Sequence, residues 1–130
     1  MKRVASIQDI SCLGRCSLTV ALPVLSVLGV ECAVIPTAVL STHTIFPDFT
    51  CRDLTDELLP IARHWQSQQV HLDAICSGYL ASPRQTEAVL AAADIRYIET
   101  GLQHGTVTAV LNGKTYEILS LIHISEPTRP

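Results

Sequence analysis

The stretch "SLTVALPVLSVLGVECAVIPTAVL", residues 17–40, constrains this chain more than any other. Its only charge is Glu31, so most of it seeks cover from water wherever it folds. Pro23, Gly29, Glu31 and Pro36 interrupt it, and no uninterrupted part approaches the ~20 apolar residues of a membrane span. It divides instead into two elements. Ser17 can cap a helix running to about residue 28, bent by Pro23 and ended by Gly29 in the left-handed conformation. The β-branched run "VECAVIPT" (30–37) then reads as a strand. A buried helix followed by a buried strand belongs in a layered fold.

The rest of the chain extends that alternation. Residues 3–7 form a short apolar strand, and a polar loop with Gly14 follows. Residues 38–52, "AVLSTHTIFPDFTCR", show no clean period and read as a functional loop. Thr55 opens a second helix, with Asp56 and Glu57 at the positive end of its dipole and Leu58, Ile61, Ala62 and Trp65 as its apolar stripe. "LDAICSGYL" (72–80) is a third strand, and Ser82-Pro83 starts a helix that runs to about Ala92. "IRYIETG" (95–101) is a fourth strand, and Asn112-Gly113 marks a hairpin between two alternating runs. Strands alternating with helices imply an α/β fold, a mostly parallel sheet flanked by helices and closed by a C-terminal β-hairpin.

Composition removes several classes of function. At 130 residues and 48% hydrophobic content, the chain suffices for one domain with a real core and is too short for two of ordinary size. The net charge is −3 and the nine Lys and Arg residues are scattered, which argues against a nucleic-acid partner. The N-terminus lacks the basic start, apolar run and cleavage site of a signal peptide, so a cytoplasmic location without membrane association is expected. Five cysteines in such a chain read as buried free thiols. Cys12-x3-Cys16 lacks zinc-site spacing and has no second ligand pair, so no metal site is expected. Neither standard glycine-rich phosphate loop is present.

In an open parallel sheet, ligands bind outside the carboxyl ends of the strands. The loops there are 8–16, 38–50 and 77–82, which offer Gln8, Asp9, Arg15, Ser41, Thr42, His43, Thr44 and Tyr79. These polar groups over an apolar floor suit a small, partly aromatic ligand. Each also has a plainer role. Asp9 could cap its own loop or the next helix, His43 could be an ordinary loop histidine, Ser41 and Thr44 are common turn residues, and Tyr79 could shelter the sheet edge.

Three of these loop motifs carry a resemblance. The run "RVASIQDISCLGRCSLTVALPVLSVLGVECAVIPTAVLSTHT", then "CRDLTDEL" at 51–58 and "SGY" at 77–79, resembles the N-terminal part of bacterial pyridoxal (pyridoxamine) kinases of the ribokinase-like superfamily. The resemblance covers about residues 2–82 and implies a partial ribokinase-like domain. Such enzymes transfer phosphate from ATP, with Mg²⁺, to the hydroxymethyl group of a pyridoxal-type ring, and are usually homodimers. The resemblance places Asp9 against the substrate ring, Thr44 and the neighbouring His43 along the same pocket, and Tyr79 beside the ring. Thr100 and Gly101 would lie on the nucleotide side, with a segment missing between about Ser82 and Ala93.

The chain departs from the family pattern in two places. Ile45 stands where a glycine commonly follows "THT", and the family's catalytic Gly-Thr-Gly-Asp motif is absent from the 130 residues. No catalytic residue is therefore assigned, and the expectation is a truncated chain, inactive alone. The ending "SLIHISEPTRP" resembles translated sequencing adapter, which sets an unstructured tail (120–130) apart from the partial kinase domain (1–119). The alternatives are a hydroxymethylpyrimidine kinase and a non-catalytic small-molecule-binding domain.

Overall fold

In a computed structural model, the chain forms two compact units, Met1–Tyr79 and Leu80–Pro130. The structure describes residues 1–78, 80–92, 96–98, 106–111 and 114–119, and side chains through residue 91 apart from 79.

The first unit is built on a four-stranded sheet. Its elements are β1 (Arg3–Ser11), α1 (Leu18–Val27), β2 (Glu31–Leu40), β3 (Cys51–Asp53), α2 (Thr55–Ser67) and β4 (Ala74–Ser77). The strand order is β3-β2-β1-β4, with β1 parallel to both neighbours and β3 antiparallel to β2. Helix α1 packs on β1 and β2, and α2 packs on β2. Ala5, Ile7, Leu18, Ile35, Leu58 and Ala62 form the core, each under one-twentieth exposed. Both helices end in the double backbone bond of a left-handed stop. For α1 these are Val30 N–H to Leu25 O and Gly29 N–H to Ser26 O, with Gly29 at φ 73°. In α2, Gln69 takes the same place at φ 54°, so the signal at Gly29 was legible and the one at Gln69 was not.

Four local expectations are corrected. Strand β1 runs to Ser11 rather than residue 7, because Gln8 and Ile10 still find partners on β2. Strand β2 likewise continues to Leu40, so the following loop begins at Ser41. The supposed loop 38–52 ends in strand β3, whose three residues are all exposed; it exists through pairing with β2 and shows no pattern of its own. Helix α1 is not buried all round. Leu18 is 2% exposed, but Val20, Leu22, Val24, Val27 and Leu28 face solvent, since one sheet can cover only one side of an apolar helix.

The start of the sheet is tied by Asp73. Its carboxylate accepts from Lys2 Nζ and from the Arg3 N–H, both at 2.8 Å, and its own N–H donates to Arg3 O. The Lys2 hydrogen bond, followed by that from Arg3, holds the Asp73 carboxyl below its ordinary value. The stability this contributes is present above the unfolded carboxyl value of about 4 and is lost as pH falls through the lower folded value. Asp73→Asn is expected to reduce the loss of stability between neutral and strongly acidic pH, read as the change in urea midpoint. An unchanged pH dependence would show that the ion pair contributes nothing.

The second unit opens with α3 (Pro83–Ala92). Its start follows the expected rule: Gln85 N–H approaches Ser82 Oγ at 3.4 Å, and the buried Gln85 returns its Oε1 to Ala81 N–H at 2.7 Å. Strands β5 (Arg96–Ile98), β6 (Thr106–Leu111) and β7 (Lys114–Leu119) make an antiparallel sheet of their own. The fourth strand thus joins a separate sheet instead of extending the parallel one. The Leu111–Lys114 pairing closes the hairpin expected around Asn112-Gly113.

Candidate functional site

The site is set by an irregularity between β1 and β2, where β2 carries one extra residue. Gln8 pairs with Pro36 and Ile10 with Val39, so Thr37 and Ala38 together stand opposite Asp9. Pro36 has no N–H to offer a ladder, and the register slips just beyond it. Such bulges re-aim side chains and recur beside binding sites. Asp9 therefore lies within the strand, near its carboxyl end, rather than in the following loop. Its half-buried carboxylate accepts a 2.8 Å hydrogen bond from Ser17 Oγ, which holds it at the N-terminal, positive end of α1.

Two loops meet above this strand end. Cys12 N–H donates to Leu40 O, and His43 N–H donates to Leu13 O, both at 2.8 Å. Gly14, at φ 124°, lies so close that a Cβ there would be 3.0 Å from His43 Cβ. The second loop is closed at its base by Ser41, whose N–H donates to Thr50 O and whose Oγ accepts the Thr50 N–H. Ser41 is thus spent on the loop, the plainer of its two readings. His43 Nδ1 accepts the Ile45 N–H at 3.0 Å, which leaves Nε2 as the ring's donor. Thr44 and Ile45 are exposed, and so is Arg15. Thr42 Oγ1 is buried with no hydrogen-bond partner among the described residues.

A third segment arrives from β4. Gly78 N–H donates to Ile7 O at 3.0 Å, and a Cβ on Gly78 would come within 2.8 Å of Gln8 Cβ. Gln8 itself is 9% exposed and donates to Ser6 Oγ. Strand β1 thus lies between strands reached by connections to either side, a position where open α/β sheets form ligand crevices. The structure brings Asp9, His43 and the Gln8–Gly78 contact to this one edge. Tyr79, Thr100 and Gly101 lie outside the described residues.

The cysteines are not the buried thiols expected. Cys12, Cys51 and Cys76 are exposed, and Cys16 and Cys32 are partly so, because they fall on a loop, an edge strand or a strand with one bare side. All five are free, and burial, followed by the neighbouring Cys76, pushes the Cys32 thiol up, away from a reactive thiolate. Among the described residues no three His, Cys, Asp or Glu side chains converge as metal ligands.

No family model and no curated protein matches the chain. Solved structures do. A Bacteroides thetaiotaomicron protein described as a phosphomethylpyrimidine kinase is 46% identical over 72% of this chain and 32% of its own, with a TM-score of 0.70. A second crystal form of that protein contains pyridoxal. Pyridoxal kinase from Lactobacillus plantarum is 30% identical over 72% of this chain and 34% of its own, with a TM-score of 0.69. Pyridoxal kinase from Leishmania donovani, solved with ADP and pyridoxamine, shares the fold at 22% identity and a TM-score of 0.68. This chain thus spans about a third of the length of these relatives.

The fold is that of the ribokinase-like α/β kinases. Over the 72% matched, the chain is pyridoxal/pyrimidine-kinase-like.

Proposed function

We propose that this chain is the substrate side of a kinase that phosphorylates the hydroxymethyl group of pyridoxal, pyridoxine or pyridoxamine at the expense of ATP. The observation that carries the reading is the placement of Asp9: a half-buried carboxylate opposite a bulge in β2, at the carboxyl ends of parallel strands, on the strand whose following loop packs against His43 through Gly14. A carboxylate there accepts a charge-assisted hydrogen bond from a protonated ring nitrogen or a ring hydroxyl. His43 Nε2 is the complementary donor, Thr44 lines the loop, and Tyr79 supplies a stacking face. Thr100 and Gly101 are assigned to the nucleotide side. The pyridoxal held by a 46%-identical protein supports the ring class.

The 130 residues contain no Gly-Thr-Gly-Asp stretch, the motif that supplies the family's proton-accepting aspartate. The purified chain is therefore expected to bind pyridoxal weakly, in the millimolar range, and to form no pyridoxal phosphate from ATP above the enzyme-free rate. Asp9→Asn should weaken that binding at least tenfold by calorimetry; an unchanged affinity would remove Asp9 from the site. Robust turnover by the unmodified chain would overturn its expected inactivity. A second reading, a hydroxymethylpyrimidine as substrate, is favoured by the description of the Bacteroides relative. Competition between pyridoxal and hydroxymethylpyrimidine for the same chain decides between them. Tight binding without turnover would instead indicate a non-catalytic binding domain.

A further inference from the structure

We propose that Ser17 is the positioning residue for Asp9, fixing one carboxylate oxygen so that the other meets the ring in a set direction. The inference rests on the reading of Asp9 as the ring-binding group.

Ser17 occupies the N-cap position of α1, where a serine hydroxyl ordinarily accepts an N–H from the first helical turn. Here it makes no such bond. Its Oγ points instead to Asp9 Oδ1, the only hydrogen bond that the Asp9 carboxylate makes among the described residues. The backbone at the same residue is unusual as well. Ser17 lies at φ 50°, ψ −128°, a region that suits glycine and strains every other residue. The chain thus forgoes a cap and accepts strain at the same residue.

The loop does not need the Ser17 hydroxyl to hold its shape, because Thr19 does that work. Cys16 N–H donates to Thr19 Oγ1, and that hydroxyl lies 2.7 Å from Cys16 O and 3.0 Å from Gly14 O, donating between them. The Ser17 side chain is therefore spent on the carboxylate alone. A carboxylate opposite a bulge, tethered through one oxygen, keeps a single orientation and loses less freedom when a ligand engages the second.

The test separates positioning from structure through glycine. Ser17→Gly removes the hydroxyl and relieves the left-handed strain, so the chain should be as stable as the parent or more so. A purely structural serine would then leave ligand affinity unchanged. The positioning role predicts that Ser17→Gly and Ser17→Ala each weaken pyridoxal binding five- to twentyfold in the full 130-residue chain. It also predicts that neither change weakens binding further once Asp9 is Asn. Loss of binding in Asp9→Asn but not in Ser17→Gly overturns the inference and leaves the functional reading intact. Unchanged binding in Asp9→Asn, or no pyridoxal binding by the parent chain at millimolar concentration, overturns both.

Discussion

Replacing Gly14 with alanine is expected to cost the first unit about 2 to 4 kcal/mol of unfolding free energy. Two separate penalties add at this position. At φ 124° the backbone lies where a side chain is strained whatever the space around it, and the new Cβ would stand 3.0 Å from His43 Cβ. The loop cannot relieve both by a small shift, because Leu13 O is held by the His43 N–H at 2.8 Å. Relief therefore means moving the His43 loop away from the loop that follows β1. Gly29 provides the control. It too has a positive φ, 73°, but nothing lies within 4 Å of a Cβ there, so Gly29→Ala should cost only the conformational part, about 1 kcal/mol. Urea unfolding of the two variants measures the difference. Equal costs would show that the Gly14–His43 contact carries no weight. A larger cost at Gly14, accompanied by weaker pyridoxal binding, would tie the glycine to the site as well as to the fold.

What could be read from the sequence follows from how local each determinant is. Gly29 ended its helix and Ser82-Pro83 began one, because caps depend on a few neighbouring backbone groups. The parallel β1–β2 pair followed from a strand, an apolar helix and a second strand in succession. The resemblance located Asp9 and His43 by motif, and the structure places both at the same sheet edge. The determinants that escaped are non-local. Strand β3 has only Cys51, Arg52 and Asp53, all exposed, and its pattern lies in β2, eleven or more residues earlier in the chain. The extension of β1 to Ser11 depends on partners at Val39 and Leu40, past a register slip that no periodicity announces. Ser17 is the clearest instance: its position obeys the capping rule while its side chain answers to Asp9, eight residues back. The bare outer face of α1 shows the limit from the other direction. An apolar sequence states that a surface seeks cover, and says nothing of what provides it.

The largest effect of a conservative truncation is expected at Ile7→Ala, about 3 to 5 kcal/mol. Ile7 is 1% exposed and sits on β1, the one strand of this sheet with a parallel neighbour on each side. The register sets it beside Ile35, itself 2% exposed, and opposite Ser77 on β4. Backbone bonds on both sides hold β1 in place, so the strand cannot move inward to fill the space left by the lost side chain. The cost is then the lost transfer energy plus the residual cavity. Ile7→Val, which removes a single methylene, should cost about 1 kcal/mol, and Val20→Ala on the exposed face of α1 less than that. Urea midpoints for the three variants give the ranking. If Ile7→Ala costs no more than Val20→Ala, the core is not centred on β1. The site should feel the same change, because Ile7 O holds the Gly78 N–H and Asp9 lies two residues further along the strand. Pyridoxal binding should therefore weaken in Ile7→Ala at temperatures where the chain is still fully folded, while Val20→Ala binds as the parent does.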